Sequence, residues 1–133
     1  MTVFLCVDNN MGMAFGGKRQ SRDREVISDI LKSASIPLYI NSCSEILFKN
    51  SGFDFIITDD IFKHDGCCFA ENVRLKPHIN KIDRLVIYKW NRTYPADLYF
   101  DIEPPSSGFY LDSVNELTGY SHEKITKEIW VHE

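Results

Sequence analysis

The sequence predicts a mixed α/β fold whose sheet is parallel at first and antiparallel at its end. Three observations carry that expectation. Near-continuous apolar, β-branched runs recur at TVFLCVD, FDFIIT and RLVIYKW, the pattern of strands covered on both faces. After the first run, Val26, Ile27, Ile30, Leu31 and Ala34 follow helical spacing. Beyond Trp90 the runs give way to alternation, as in ITKEIWV, which suits antiparallel strands with one wet face.

Taken in order, residues 2–8 form the first strand, and residues 9–20 read as loop, with Gly12, Gly16 and Gly17 supplying backbone freedom. Ser21 is placed to cap the helix that follows. Asp23 in its first turn suits the positive end of the helix dipole, whereas Arg22 and Arg24 do not. Pro37 opens the strand PLYIN, and Ser42 and Glu45 have capping-box spacing ahead of the short helix SEILFKN, which Ser51-Gly52 ends. FDFIIT at 53–58 is expected as a buried strand and GCCFAE as a fourth. A short irregular or helical piece surrounds Pro77, and RLVIYKW at 84–90 is the strongest strand signal in the chain. Turns at Pro95, Pro104-Pro105 and Gly119 divide the remainder, giving βαβαβ followed by β-rich sequence.

With 133 residues the chain reads as one domain, 1–133, long enough to bury a real core. Its apolar fraction of 44% and charged fraction of 26% are those of a soluble globular protein. No apolar run approaches the ~20 residues that cross a bilayer. The start, MTVFLCVDNN, has no basic n-region, so it reads as a strand and not a signal peptide, and the cytoplasm is the expected compartment. The four cysteines show no disulfide spacing and read as buried thiols. Net charge is −4, with a local basic cluster at Lys18, Arg19, Arg22 and Arg24 and acids spread over the rest. That balance disfavours direct nucleic-acid or membrane binding and favours a basic protein partner.

Candidate chemistry is sparse. The stretch VDNNMGMAFGG spells neither G-x-G-x-x-G nor a P-loop, although Lys18 and Arg19 stand where they would neutralise an anion near the helix N-terminus. The alternative is a surface loop with solvated charge. Asp23 and Glu25 are candidate pocket carboxylates, or simply dipole partners. His64 with Cys67 and Cys68 lacks zinc-ligand spacing, and no metal site is expected. No G-x-S-x-G elbow exists, and the adjacency of Ser121, His122 and Glu123 says little about a triad, which is assembled in space. In YKWNRTYPADLYF, Trp90, Arg92 and Tyr94 are of the types enriched at interface centres, and equally of those that line a strand end in the core.

This order of features resembles dihydrofolate reductase. There an apolar strand ends in Asp-x-x-x-Gly-hydrophobic before a flexible loop; Asp8, Gly12 and Met13 hold those places here. LYINSCSEILF looks like the strand and helix at that family's cofactor phosphate site, and the closing EKITKEIWVHE is similar to its final hairpin. The resemblance implies a three-layer α/β sandwich over the whole chain, with Asp23 near the pteridine-binding acid. As a small NADPH-dependent reductase, the chain would use Asp23 as its acid and Lys18, Arg19 and Arg22 for phosphates. The departures fall on functional positions. Lys18-Arg19-Gln20 replaces the family's Leu-Pro-Trp, and Asn41-Ser42-Cys43-Ser44 replaces its phosphate motif. Its Gly-Gly pair, where the dinucleotide meets bare backbone, gives way to Phe69-Ala70-Glu71-Asn72. A side chain there blocks the approach, and Glu71 repels pyrophosphate.

QSRDR, KWNRTYPAD and GYSHEKITKE also resemble small bacterial proteins labelled ribonuclease Z, although the metal-binding histidine string of a metallo-nuclease is absent. In overall character the chain resembles immunity proteins of contact-dependent growth inhibition systems. That resemblance implies a non-enzymatic inhibitor without cofactor, binding a basic nuclease toxin through Asp59, Asp60, Asp65, Glu71, Trp90, Arg92 and Tyr94.

Overall fold

The computed structural model describes residues 1–133 and contains a seven-stranded sheet, a three-stranded sheet and two α-helices. The strands are β1 (Thr2–Val7), β2 (Gly12–Phe15), β3 (Lys18–Arg19), β4 (Leu38–Ile40), β5 (Phe55–Ile57), β6 (Cys67–Ala70), β7 (Arg84–Lys89), β8 (Leu98–Tyr99), β9 (Phe109–Leu117) and β10 (Ile125–His132). The helices are α1 (Arg24–Ser33) and α2 (Glu45–Phe48).

The large sheet runs β5-β4-β6-β1-β7-β10-β9. Its first five strands are parallel, and β10 and β9 close it antiparallel. This is the predicted fold class. Its central strands are buried on both faces, which explains their continuous apolar sequence: Val3, Leu5, Val7, Leu85 and Ile87 point to one core, Phe4, Val86 and Tyr88 to the other. Val26 and Ile30 of α1 and Phe48 of α2 pack on the second of these. The first is covered by loop and 3₁₀ residues, among them Ile61, Phe62, Leu75 and Phe100, and by Met13 of the small sheet. No helix is long and apolar enough to cross a membrane.

Four local expectations are corrected. Residues 9–20 are not loop throughout: β2 and β3 form a hairpin, and β8 completes the small sheet. Gly16 and Gly17 make its two-residue turn, both with positive φ (59° and 76°), as a tight hairpin matched to strand twist demands. The N-cap of α1 is Asp23, not Ser21. Ser42 and Glu45 do not form a capping box; Ser42–Ser44 is a 3₁₀ turn without a side-chain cap, leading directly into α2. FDFIIT is a strand only over Phe55–Ile57 and lies at the sheet edge, with Ile56 and Ile57 exposed.

Candidate functional site

In parallel sheets, ligand clefts open beyond the carboxyl ends of the strands, where the strand order reverses. Here β1 is that point: the chain leaves it for β4 on one side and later returns through β7 on the other. A narrow cleft with only about 20 Å³ of free space lies there, lined by Cys6, Arg19, Ser21, Asp23, Glu71 and Trp90 among others. The three parallel strands β1, β6 and β7 are followed immediately by Asp8, Glu71 and Trp90.

Asp23 is buried and accepts from four backbone N–H groups. Glu25 N (2.9 Å) and Tyr120 N (2.9 Å) reach Oδ1; Ser121 N (2.8 Å) and His122 N (3.1 Å) reach Oδ2. Ser121 Oγ (3.2 Å) and His122 Nδ1 (3.0 Å) complete the shell around Oδ2. A carboxylate offers about four lone-pair positions, so every acceptor of Asp23 is spent within the chain. Burial alone pushes this carboxyl up. The hydrogen bonds from Tyr120, His122, Glu25 and Ser121 outweigh it and hold the group well below the usual carboxylate range. Gly119 permits this closure, because a Cβ there would lie 2.3 Å from His122 O and 2.8 Å from Asp23 Oδ2.

His122 links this knot to the cleft wall. Its ring stacks on Trp90 at 4.6 Å between centroids, and Nε2 sits 3.0 Å from both Ser21 Oγ and Tyr94 Oη. The order Asp23–His122–Ser21 has the connectivity of a hydrolytic triad. Two hydroxyls share the one Nε2, however, and Asp23 is tied to a turn, so the arrangement fastens residues 119–122 across the N-terminus of α1. Arg24 adds a cation–π contact, 3.7 Å from the centroid of Tyr120.

The second closure is at Glu71, just after β6. Arg19 donates to it from Nε (2.6 Å to Oε2) and Nη2 (2.8 Å to Oε1), and Ser44 Oγ donates at 2.7 Å to Oε1. Arg19 Nη2 also donates to Cys43 O. The fork of Arg19 thus spans the space between β6 and the turn before α2. Cys6 faces both carboxylates across the cleft; burial, then Glu71 and Asp23, push its thiol well up and keep it neutral. Asp8 forms a third, smaller knot with the backbone N–H groups of Gly12, Asn10 and Tyr94 and with Gln20 Nε2.

The predicted residues therefore divide. Asp23, Arg19 and Glu71 meet at the cleft, each engaged by the chain itself; Arg22 also lines it but is exposed, and Lys18 is exposed outside it. Trp90 is 3% exposed, so its ring is a core element and not a surface anchor. Asp59, Asp60, Asp65 and Arg92 are exposed, and Tyr94 is half-buried against His122. No three His, Cys, Asp or Glu side chains converge as metal ligands would. Sequence reasoning missed His122 as the partner of Asp23. Ninety-nine residues separate the two, and only the Gly119 turn hinted at a tight approach.

No protein-family model matches the chain, and no curated protein matches it in sequence. Among solved structures it is similar to the dihydrofolate reductase from Enterococcus faecalis, which was solved in complex with NADP(H) and RAB-propyl. The TM-score is 0.68 at 11% identity, over 98% of this chain and 94% of that one. The chain has a dihydrofolate-reductase-like fold.

Proposed function

We propose that the chain acts in the cytoplasm as a non-enzymatic immunity protein, binding and blocking a nuclease toxin domain of a contact-dependent growth inhibition system. One observation carries the reading against a reductase: the acceptors of Asp23 are already saturated by donors of the chain itself, and Glu71 is tied up by Arg19 and Ser44. A pterin needs free lone pairs on the acid. A dinucleotide needs open backbone where Glu71, Arg19 and Ser44 are interlocked. With the cleft so filled, the surface is left to supply function, and its balance is acidic at both sheet edges: Asp59, Asp60 and Asp65 are exposed on the side of β5, and Glu103, Asp112 and Glu116 on the side of β9. Such a surface steers toward a basic nuclease cleft and makes association fall with salt. Blocking is by occlusion, for which an interface of roughly 1,600 Å² is ample.

Two measurements test this. NADPH is titrated while the emission of Trp90 and Trp130 and the thermal stability are followed; no saturable change is expected. Micromolar binding would instead favour a small reductase using Asp23, with Lys18, Arg19 and Arg22 on phosphates. Second, the chain is co-expressed with the product of its neighbouring gene; growth rescue and a co-purifying complex are expected, and an unrelieved toxic phenotype would overturn the reading.

A further inference from the structure

We propose that the docking site for this partner is the open edge of the sheet at β9 with the groove beside it, and that the partner adds an extended, basic strand there. The inference rests on the protein-binding reading above and gives it a location.

β9 is the longest strand, nine residues, and ends the sheet; only β10 pairs with it. A long edge strand presents a row of unpaired N–H and C=O groups to any extended chain. The opposite edge, β5, has three residues and offers far less. The side chains of β9 are also dressed for contact. In register with β10, Leu111 lies opposite Trp130 and Val114 opposite Glu128, so both share the face of Trp130. They are 45% and 51% exposed. On the same face runs a groove of about 480 Å³, lined by Ile87, Trp130, Phe100, Ile102 and Pro104 among others.

Charge selects the occupant. Exposed Glu103, Asp112 and Glu116 line this region. Its lysines are already paired, Lys89 with Glu128 at 3.0 Å and Lys124 with Glu116 at 3.6 Å, which leaves Glu103 and Asp112 free. A second copy of this chain pairing along β9 would set acid beside acid, which is unfavourable. Asp112 is moreover the extra residue of a bulge, between Leu111 opposite Trp130 and Ser113 opposite Ile129. That bulge interrupts the long flat edge self-pairing needs and leaves Ser113 to Leu117 regular. A strand carrying Lys or Arg with one or two apolar side chains meets both demands.

The test uses the full chain and the purified product of the neighbouring gene, with calorimetric titration and growth rescue as readouts. The double variant Leu111→Lys, Val114→Lys and the charge reversal Glu103→Lys, Asp112→Lys change only exposed side chains; circular dichroism and melting confirm that each folds. Each is expected to weaken binding about tenfold or more, and Ile56→Lys at the opposite edge by less than about twofold. If the unaltered chain binds the partner and the β9 variants bind it equally well, or Ile56→Lys is the damaging change, the location is wrong. If the unaltered chain neither binds nor rescues, the immunity reading itself falls and takes this one with it. A dimer of the chain alone, seen by light scattering and dispersed by the β9 variants, would make a second copy the occupant and also overturn the proposal.

Discussion

Asp23→Asn keeps the shape of the side chain and removes one acceptor. Oδ1 serves the backbone N–H groups of Glu25 and Tyr120; Oδ2 serves those of Ser121 and His122, with Ser121 Oγ and His122 Nδ1 besides. Whichever way the amide turns, its NH₂ faces donors and strands at least two backbone N–H groups. Each stranded buried donor costs roughly 1–3 kcal/mol, and the lost charge at the helix N-terminus about 0.5 kcal/mol. The expected loss is about 3 kcal/mol, a large share of the ~5–15 kcal/mol that holds such a domain. Urea unfolding at pH 7 reads it, with emission from Trp90, which stacks on His122, as one signal. The pH dependence supplies a second, independent check. The folded pKa of Asp23 lies below its unfolded value. Its contribution is therefore fully present above the unfolded pKa of about 3.9 and is lost as pH falls toward the folded one. The gap between the two proteins narrows by about 1 kcal/mol on going from pH 7 to about pH 3. Asp8, also lowered, titrates in both proteins and cancels in the difference. A loss under about 1 kcal/mol at pH 7, or a gap that does not shrink in acid, would refute the reasoning.

Gly119→Ala forces a Cβ against His122 O and Asp23 Oδ2, and is expected to cost about 3 kcal/mol, or roughly 10 °C in a thermal melt. Arg19→Met strips buried Glu71 of its fork and is expected to cost about 2 kcal/mol; with Glu71→Gln in a double-mutant cycle the coupling is at least about 1 kcal/mol by urea unfolding. Among the cysteines only Cys43 is exposed, and Cys68 is pushed up to about 12 by burial and then Cys67. Iodoacetamide at pH 8 is thus expected to give a single adduct at Cys43 in the native protein, read by mass spectrometry, and four adducts after unfolding.

The central strands were legible because β1 and β7 are covered on both sides and carry that in unbroken apolar runs, Val3 to Val7 and Leu85 to Tyr88. FDFIIT has the same composition, yet lies at an edge; an apolar run says that a strand forms, not which neighbours it gets. The β2–β3 hairpin escaped because its strands are short and its turn is two successive glycines, which also read as loop. Asp23 was singled out for the right position but not for its partners, since Tyr120, Ser121 and His122 reach it from the far end of the chain. Trp90 read equally as an interface anchor and as a core ring, because composition cannot tell a ring that faces a partner from one that stacks on a buried imidazole.

The tie between Asp23 and residues 120–122 also sets an order on biosynthesis. Those residues leave the ribosome long after α1, so a growing chain carries Asp23 hydrated and the cleft beside β1 and β6 unlatched. Only the arrival of the last hairpin completes the shell around Asp23. A product terminated before residue 109 therefore lacks both the latch and β9, and leaves the Asp23 carboxylate without its partners from residues 120–122.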